Sequence, residues 1–285
     1  MLHLNWHELE KEEESQSTFF ENGSAVSIGS FDGLHKGHCA LLKRLMEQGK
    51  NLALPCGVVT FASPPRYLFH SLPPSCISTL RLKRENLEKL GLDFVILVDF
   101  SLDFAKMTGD SFVELLKKYI NLKYLLVGED FRFGRKRSSS IEDILELSFK
   151  FSFSFEAFSN LCGEEGEHKI SSSFIREAIY EGDIKEISNL LQDGVSVDLL
   201  GAKPLCMGKR KLGFSKEDLQ QVLPKEGEFL GGVRLCDGSE QEVRVLIDSK
   251  CVKLFFDECE GCGSNSGEFG EEFPHFDILK LKEKI

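Results

Sequence analysis

No stretch of this 285-residue chain approaches the ~18 consecutive apolar residues of a membrane-spanning helix. Positive charge is also scarce. Against 46 Asp and Glu there are 35 Lys and Arg, a net charge of −11. That balance argues against a general nucleic-acid binder, which would show a basic face, but leaves room for a local basic site for phosphates. No secretory leader is expected either, because Met1–Trp6 is short and runs straight into acidic residues. The nine cysteines are odd in number and scattered, which is not the pattern of a disulfide framework. Internal repeats are absent. We therefore expect a reduced, cytoplasmic protein with free thiols, no nucleic-acid partner and no membrane partner. Its oligomeric state is left open.

The length suits one large or two modest domains. Residues 1–24 are polar, with Glu10, Glu12, Glu13 and Glu14 clustered, and read as a solvated lead-in or an edge element. From Ala25 short apolar runs near 25–30, 56–61, 93–98 and 123–128 read as strands. Helical spacing near 38–48, 79–90 and 110–120 separates them. Alternating strands and helices predict an α/β domain with a parallel sheet, and ligands of such sheets bind outside the carboxyl ends of the strands. A strand near 151–158 and helices near 173–181 and 183–192 complete this unit. Gly194–Gly201 reads as a boundary, which gives domains 1–195 and 196–285. Beyond it, Val243–Ile247 and Val252–Phe256 suggest a small β unit. Residues 257–272 are rich in Gly and Glu, and the tail from Phe276 to Leu281 has the spacing of a short terminal helix.

One stretch is denser in chemistry than any other: Gly29-Ser30-Phe31-Asp32-Gly33-Leu34-His35-Lys36-Gly37-His38. It lies between an apolar strand-like run, Ala25–Ile28, and a helical pattern carrying Leu41, Leu42 and Leu45. A helix N-terminus offers unpaired N–H groups and the positive end of a dipole, so it favours anions. His35 and His38 can donate to phosphate oxygens there, and Gly29, Gly33 and Gly37 let the backbone approach a ligand closely. The plain alternative is a strand–turn–helix with incidental histidines.

This ten-residue pattern, G-x-F-D-G-x-H-x-G-H, resembles the first motif of the prokaryotic FAD synthetases, the riboflavin kinase/FMN adenylyltransferase family. Its H-x-G-H core resembles the signature of the wider α/β nucleotidyltransferase superfamily. Three further stretches fit the family in order and spacing. Thr60-Phe61-Ala62-Ser63-Pro64-Pro65-Arg66 partly matches T-F-x-P-H-P, with Ser63 at the usual Pro position and Pro64 at the usual His position. Gly128-Glu129-Asp130-Phe131-Arg132-Phe133-Gly134 matches G-x-[DN]-F-x-F-G closely, and Arg135-Lys136-Arg137 beside it forms a local basic cluster. Ile170-Ser171-Ser172-Ser173-Phe174-Ile175-Arg176 resembles I-S-S-T-x-I-R, with Ser173 keeping the hydroxyl of the usual Thr. Together the four matches span about residues 25–195.

The resemblance implies a Rossmann-like nucleotidyltransferase domain followed by a reduced β-barrel-like domain. The implied reaction is FMN plus ATP giving FAD plus pyrophosphate, with Mg²⁺ accompanying the ATP and no metal site made by the protein alone. It implies ATP binding by Gly29, Ser30, Phe31, Asp32, Gly33, His35, Gly37, His38, Ser171, Ser172, Ser173 and Arg176. His35, His38 and Arg176 would act in catalysis. FMN would meet Phe61, Arg66, Asp130, Phe131 and Phe133, the aromatic rings offering faces or edges to the flavin. The serines also suit the cap of a helix, a role compatible with phosphate binding. Acceptors other than FMN, a bifunctional enzyme that also phosphorylates riboflavin, and a non-catalytic flavin or nucleotide binder are the competing readings.

The family's second domain carries a G-F-P-T-A-N motif. Here the stretch is Gly213-Phe214-Ser215-Lys216-Glu217-Asp218, with Lys216 at the Thr position and Asp218 at the Asn position. A charged lysine neither ligates a metal nor accepts a hydrogen bond, so a degenerate barrel without kinase activity is expected. Cys259-x-x-Cys262, with Cys251 and His275 in reach along the chain, is weak evidence for a metal, since no second pair accompanies it.

Overall fold

The computed structural model describes residues 1–9, 18–62, 76–134, 139–159, 170–207, 210–235, 238–256 and 276–285. They form two compact units, each with its own core. Met1–Leu72 and Arg84–Lys169 make the first, and Pro73–Lys83 and Ile170–Ile285 make the second. The sequence boundary near 195 and the packing thus divide the chain differently, residues 170–195 packing with the β unit.

The first unit runs β1 (Leu2–Asn5), α1 (Trp6–Leu9), β2 (Ser24–Ile28), α2 (Lys36–Leu52), β3 (Cys56–Phe61), α3 (Leu80–Leu90), β4 (Phe94–Val98), α4 (Gly109–Ile120), β5 (Leu122–Gly128), α5 (Ile141–Phe151) and β6 (Ser154–Phe158). The first turn of α3 belongs to the second unit. All six strands pair in parallel in the order β1-β4-β3-β2-β5-β6. Strands β2 and β4 are buried along their whole length, and β4, Phe94–Val98, accordingly appears as a continuous apolar run in the sequence. Val26, Ile28, Ile96 and Val127 face Phe112, Leu116 and Ile144 of α4 and α5. Helix α2 packs against β2, β3 and β5, and the alternate residues Ala25, Ser27, Val58 and Leu126 are buried outside that cluster.

Gly57 of β3 sits opposite Phe94 of β4, and a methyl group added at Gly57 would overlap the Phe94 ring. Phe94 is fully buried and held edge-on by Phe19 and Phe20, so it has little room to yield. Gly57→Ala is therefore expected to lower unfolding stability by ~1–3 kcal/mol. A denaturant midpoint equal to that of the wild type would show that the ring can shift at no cost.

The second unit contains α6 (Ser172–Glu181), α7 (Ile184–Ser188), β7 (Val195–Asp198), β8 (Leu205–Cys206), β9 (Lys211–Ser215), β10 (Gly227–Leu235), β11 (Glu240–Ile247), β12 (Cys251–Phe256) and β13 (Phe276–Lys284). Its seven-stranded sheet is antiparallel, in the order β7-β13-β10-β11-β12-β9-β8, and curls into a half-barrel around Phe214, Phe229, Val245 and Leu254. The expected α/β class with a reduced β-barrel-like second unit is the observed architecture.

One local expectation is corrected, one is decided and one element is added. The tail from Phe276 is not a helix but β13, paired with β7 on one side and β10 on the other. Leu279 and Leu281 enter the core on one face, so ladder hydrogen bonds and burial override the helical spacing. Of the two readings of the polar lead-in, the edge element is the one found: β1 lies at the sheet edge, with Leu4, Trp6 and Leu9 buried. Residues 141–151, for which no element was foreseen, form α5, started by the Asp143 carboxylate accepting from the Ser140 N–H at 2.6 Å. Among the described residues, no helix is long and apolar enough to cross a membrane.

Candidate active site at the carboxyl edge of the parallel sheet

Because β2, β3, β4 and β5 are parallel neighbours, the segments that follow them leave from one edge of the sheet. The Gly29 N–H donates to Val59 O at 3.1 Å, and the Thr60 hydroxyl donates to Ser30 O at 3.1 Å, which ties the turn after β2 to the end of β3. The turn is strained. Phe31 has φ 44° and Leu34 has φ 37°, in the left-handed region that side chains disfavour, with Gly33 at φ 82° between them. Burial offsets the strain, since Phe31 and Leu34 are 2% and 1% exposed. Asp32 is also buried.

The turn delivers His35 to the N-cap of α2, where its Nδ1 accepts the backbone N–H of His38 at 3.3 Å. The two imidazoles stack, with ring centroids 3.7 Å apart and planes 19° apart, and the Phe31 ring meets His38 edge-on at 5.3 Å. His35 is 6% exposed, and desolvation pulls its pKa down to about 4. It is therefore neutral near pH 7. With Nδ1 occupied as an acceptor, the ring proton resides on Nε2, which becomes the donor. The pair thus offers directed hydrogen-bond donors beside the first-turn N–H groups of α2, an arrangement complementary to negative oxygen.

Three of the residues expected to meet FMN, Phe61, Phe131 and Phe133, are linked by a chain of rings. Phe61, at the end of β3, meets Phe100 at 5.5 Å and Phe104 at 6.4 Å. Phe104 meets Phe112, Phe112 meets Phe133, and Phe133 stacks with Phe131 at 5.7 Å. Phe61, Phe131 and Phe133 are partly buried against the first core, so part of each ring packs and part stays available. The Phe131 N–H donates to Gly128 O, Phe133 pairs with Ser139, and Gly134 takes φ 74°, which shapes the tight turn after β5. Asp130 lies exposed at that turn. Phe100 and Phe104 were missed in the sequence. The signal was available, since they follow β4 as the other segments follow their strands. Arg66, Ser63 to Pro65 and the cluster Arg135-Lys136-Arg137 lie outside the described residues, as do Cys259, Cys262 and His275.

The profile of the FAD synthetase family matches residues 18–174, more than half of the chain. The chain belongs to the FAD synthetase family. The bifunctional riboflavin kinase/FMN adenylyltransferase of Haemophilus influenzae is 34% identical over 91% of each chain. The protein of the same description from Escherichia coli is 35% identical over 73% of this chain and 67% of its own. A Streptococcus pneumoniae structure titled a macrolide-efflux protein shares the fold, with a TM-score of 0.79 at 22% identity, covering all of this chain and 91% of its own.

In this FAD synthetase-family chain the late serine motif falls in the second unit. Ser171 is the N-cap of α6, its hydroxyl accepting the Phe174 N–H at 3.2 Å, and Arg176 donates to the Ser173 hydroxyl at 3.3 Å. Ser172 occupies the first turn, which holds no acidic residue. In the same unit, Gly213 and Phe214 lie in β9, with Phe214 buried in the core. Lys216 is turned onto backbone, donating to Pro224 O at 3.2 Å and Lys225 O at 2.9 Å, and burial lowers its pKa.

Proposed function

We propose that this chain is an FMN adenylyltransferase, joining FMN to the AMP portion of ATP to make FAD and pyrophosphate. The observation that carries the reading is the stacked His35–His38 pair in the strained turn at the mouth of α2, within a chain of the FAD synthetase family. An FMN phosphate oxygen attacks the α-phosphorus in line. The new P–O bond forms as the bond to the bridging oxygen breaks, and the pyrophosphate departs with the electron pair. No protein nucleophile is needed, so catalysis rests on positioning and charge stabilisation. His35 donates from Nε2, and His38 donates beside it to oxygen that gains charge. Gly29 to Gly33 and Gly37 bring backbone close to the nucleotide. Ser171, Ser172, Ser173 and Arg176 hold the leaving pyrophosphate. Phe61, Arg66, Asp130, Phe131 and Phe133 receive FMN. With Mg²⁺ on the ATP, part of the phosphate charge would be neutralised before the transfer. Such a reaction suits a cytoplasmic enzyme.

Riboflavin phosphorylation is not part of this reading. At the position where the family motif has Thr, the Lys216 ammonium is engaged with two carbonyl oxygens. The test is chromatography of products from purified protein, ATP and Mg²⁺, with FMN and riboflavin in separate reactions. FAD from FMN and no FMN or FAD from riboflavin is expected. FAD from riboflavin would make the enzyme bifunctional, and no product from FMN would sink the adenylyltransferase reading.

A further inference from the structure

The helix that carries the histidine pair is held to its sheet by a contact that the adenylyl transfer itself does not use. Arg44 of α2 donates twice to the Glu156 carboxylate of the edge strand β6, from Nε to Oε1 at 2.9 Å and from Nη2 to Oε2 at 3.0 Å. The Tyr124 hydroxyl of β5 donates to the same Oε2 at 2.6 Å. Tyr124 is buried, and the arginine hydrogen bonds lower the Glu156 pKa and keep the carboxylate ionised. One carboxylate thus joins α2 to two neighbouring parallel strands. Leu41, Leu42 and Leu45 supply the buried packing of α2, which has no direction of its own. Such packing fixes how close the helix lies more firmly than where it lies along its axis. The arginine fork is directional and fixes the latter.

We infer that Arg44 and Glu156 are positioning residues for His35 and His38, with Tyr124 anchoring the carboxylate between them. The turn before α2 holds Phe31 and Leu34 at positive φ, a conformation that persists only where its surroundings over-determine it. One end of that turn is tied to β3 through the Gly29 and Thr60 hydrogen bonds. The other end is α2, whose N-cap lies nine residues, or ~14 Å of helix, from Arg44. Locking α2 to β5 and β6 fixes that second end and leaves the turn no room to relax. A displacement of ~1 Å in a group that positions reacting atoms costs up to about 100-fold in rate. The pair is partly open to solvent, 38% for Arg44 and 31% for Glu156, and ion pairs so exposed add little to stability. Its effect therefore belongs in turnover rather than in folding. The catalytic half of this inference rests on the proposed use of the histidine pair in adenylyl transfer.

The test uses the full-length protein with Arg44→Lys, Glu156→Gln and the two combined. Lysine keeps the charge without the fork, and glutamine keeps an acceptor for Tyr124. Three quantities are read: the single-turnover rate of FAD formation at saturating ATP and FMN, the affinity for each substrate, and the NMR signals of the His38 ring protons. Those protons report the Phe31 ring, which meets His38 edge-on at 5.3 Å. In each single variant the rate is expected to fall by about tenfold and the His38 signals to move, with both affinities within twofold of wild type. The double variant should be no slower than the slower single, because the two side chains act as one pair. In a folded variant, a wild-type rate, unmoved His38 signals, a loss confined to substrate affinity, or additive losses in the double would each overturn the inference. If one single variant does not fold, the other carries the test. Wild-type protein that makes no FAD would remove the proposed reaction, and the His38 signals alone would then decide whether the pair sets the turn.

Discussion

His35→Ala is expected to lower the rate constant for FAD formation by roughly 100- to 1,000-fold, the usual cost of removing one donor aimed at developing charge. Alanine also removes the N-cap of α2, at about 1 kcal/mol, so the variant that separates the two roles is His35→Asn. Asparagine can accept the His38 N–H as the imidazole does, but it does not place a donor where Nε2 lies. If donation from Nε2 matters, His35→Asn will show wild-type stability and nearly the whole loss of turnover. Single-turnover FAD formation under saturating ATP and FMN is the measurement. Full activity in His35→Asn would reduce His35 to a helix cap. His38→Ala carries a parallel expectation, because its ring stacks on His35 and lies against Phe31.

The second large effect is on stability in acid. The folded pKa of His35 is pulled down to about 4 by burial, against 6.5 for the free side chain. Between those values the unfolded chain binds a proton that the folded chain refuses. Stability from this source is complete above pH 6.5 and is lost as pH falls toward 4. At pH 5 the loss is about 2 kcal/mol, from 1.36 kcal/mol per unit over roughly 1.5 units. Other groups titrate in the same range, so the useful quantity is a difference. Denaturant unfolding of wild type and His35→Asn, compared at pH 7 and pH 5, should show the wild type losing about 2 kcal/mol more. Equal losses would mean that His35 protonates without penalty in the folded protein.

The candidate site's local geometry was legible in the sequence where one short stretch carries both backbone and chemistry. Gly29 to His38 required a turn, a helix start and two imidazoles within ten residues, and the structure places them there. The parallel sheet was legible for a related reason. Strands such as Phe94–Val98 are buried on both faces and read as unbroken apolar runs. What escaped depends on partners far along the chain. Phe276–Lys284 spaces its apolar residues as a helix would, and only β7 and β10 on its flanks make it a strand. Phe100 and Phe104 look like ordinary loop aromatics until β4 is set beside β3. The membership of Cys76–Arg81 in the second unit rests on Gln221 and Asp198, more than a hundred residues away, which no local pattern announces.

The position of β13 bears on how the molecule is made. Every strand of the first sheet lies within residues 2–158 and can pair while the ribosome is still extending the chain. The second sheet cannot follow suit, because Asp198 of β7 pairs with Ile278 of β13, eighty positions later. At ~5–20 residues per second, the β7 edge waits about 4–16 seconds for its neighbour during synthesis. Until that strand emerges, the serine-capped helix α6 lacks part of the core that supports it, since Ile175 and Ile179 share one cluster with Leu279 and Leu281. A nascent chain stalled before residue 276 would therefore hold a fully paired first sheet while β7 and α6 still wait for the strand that completes their core.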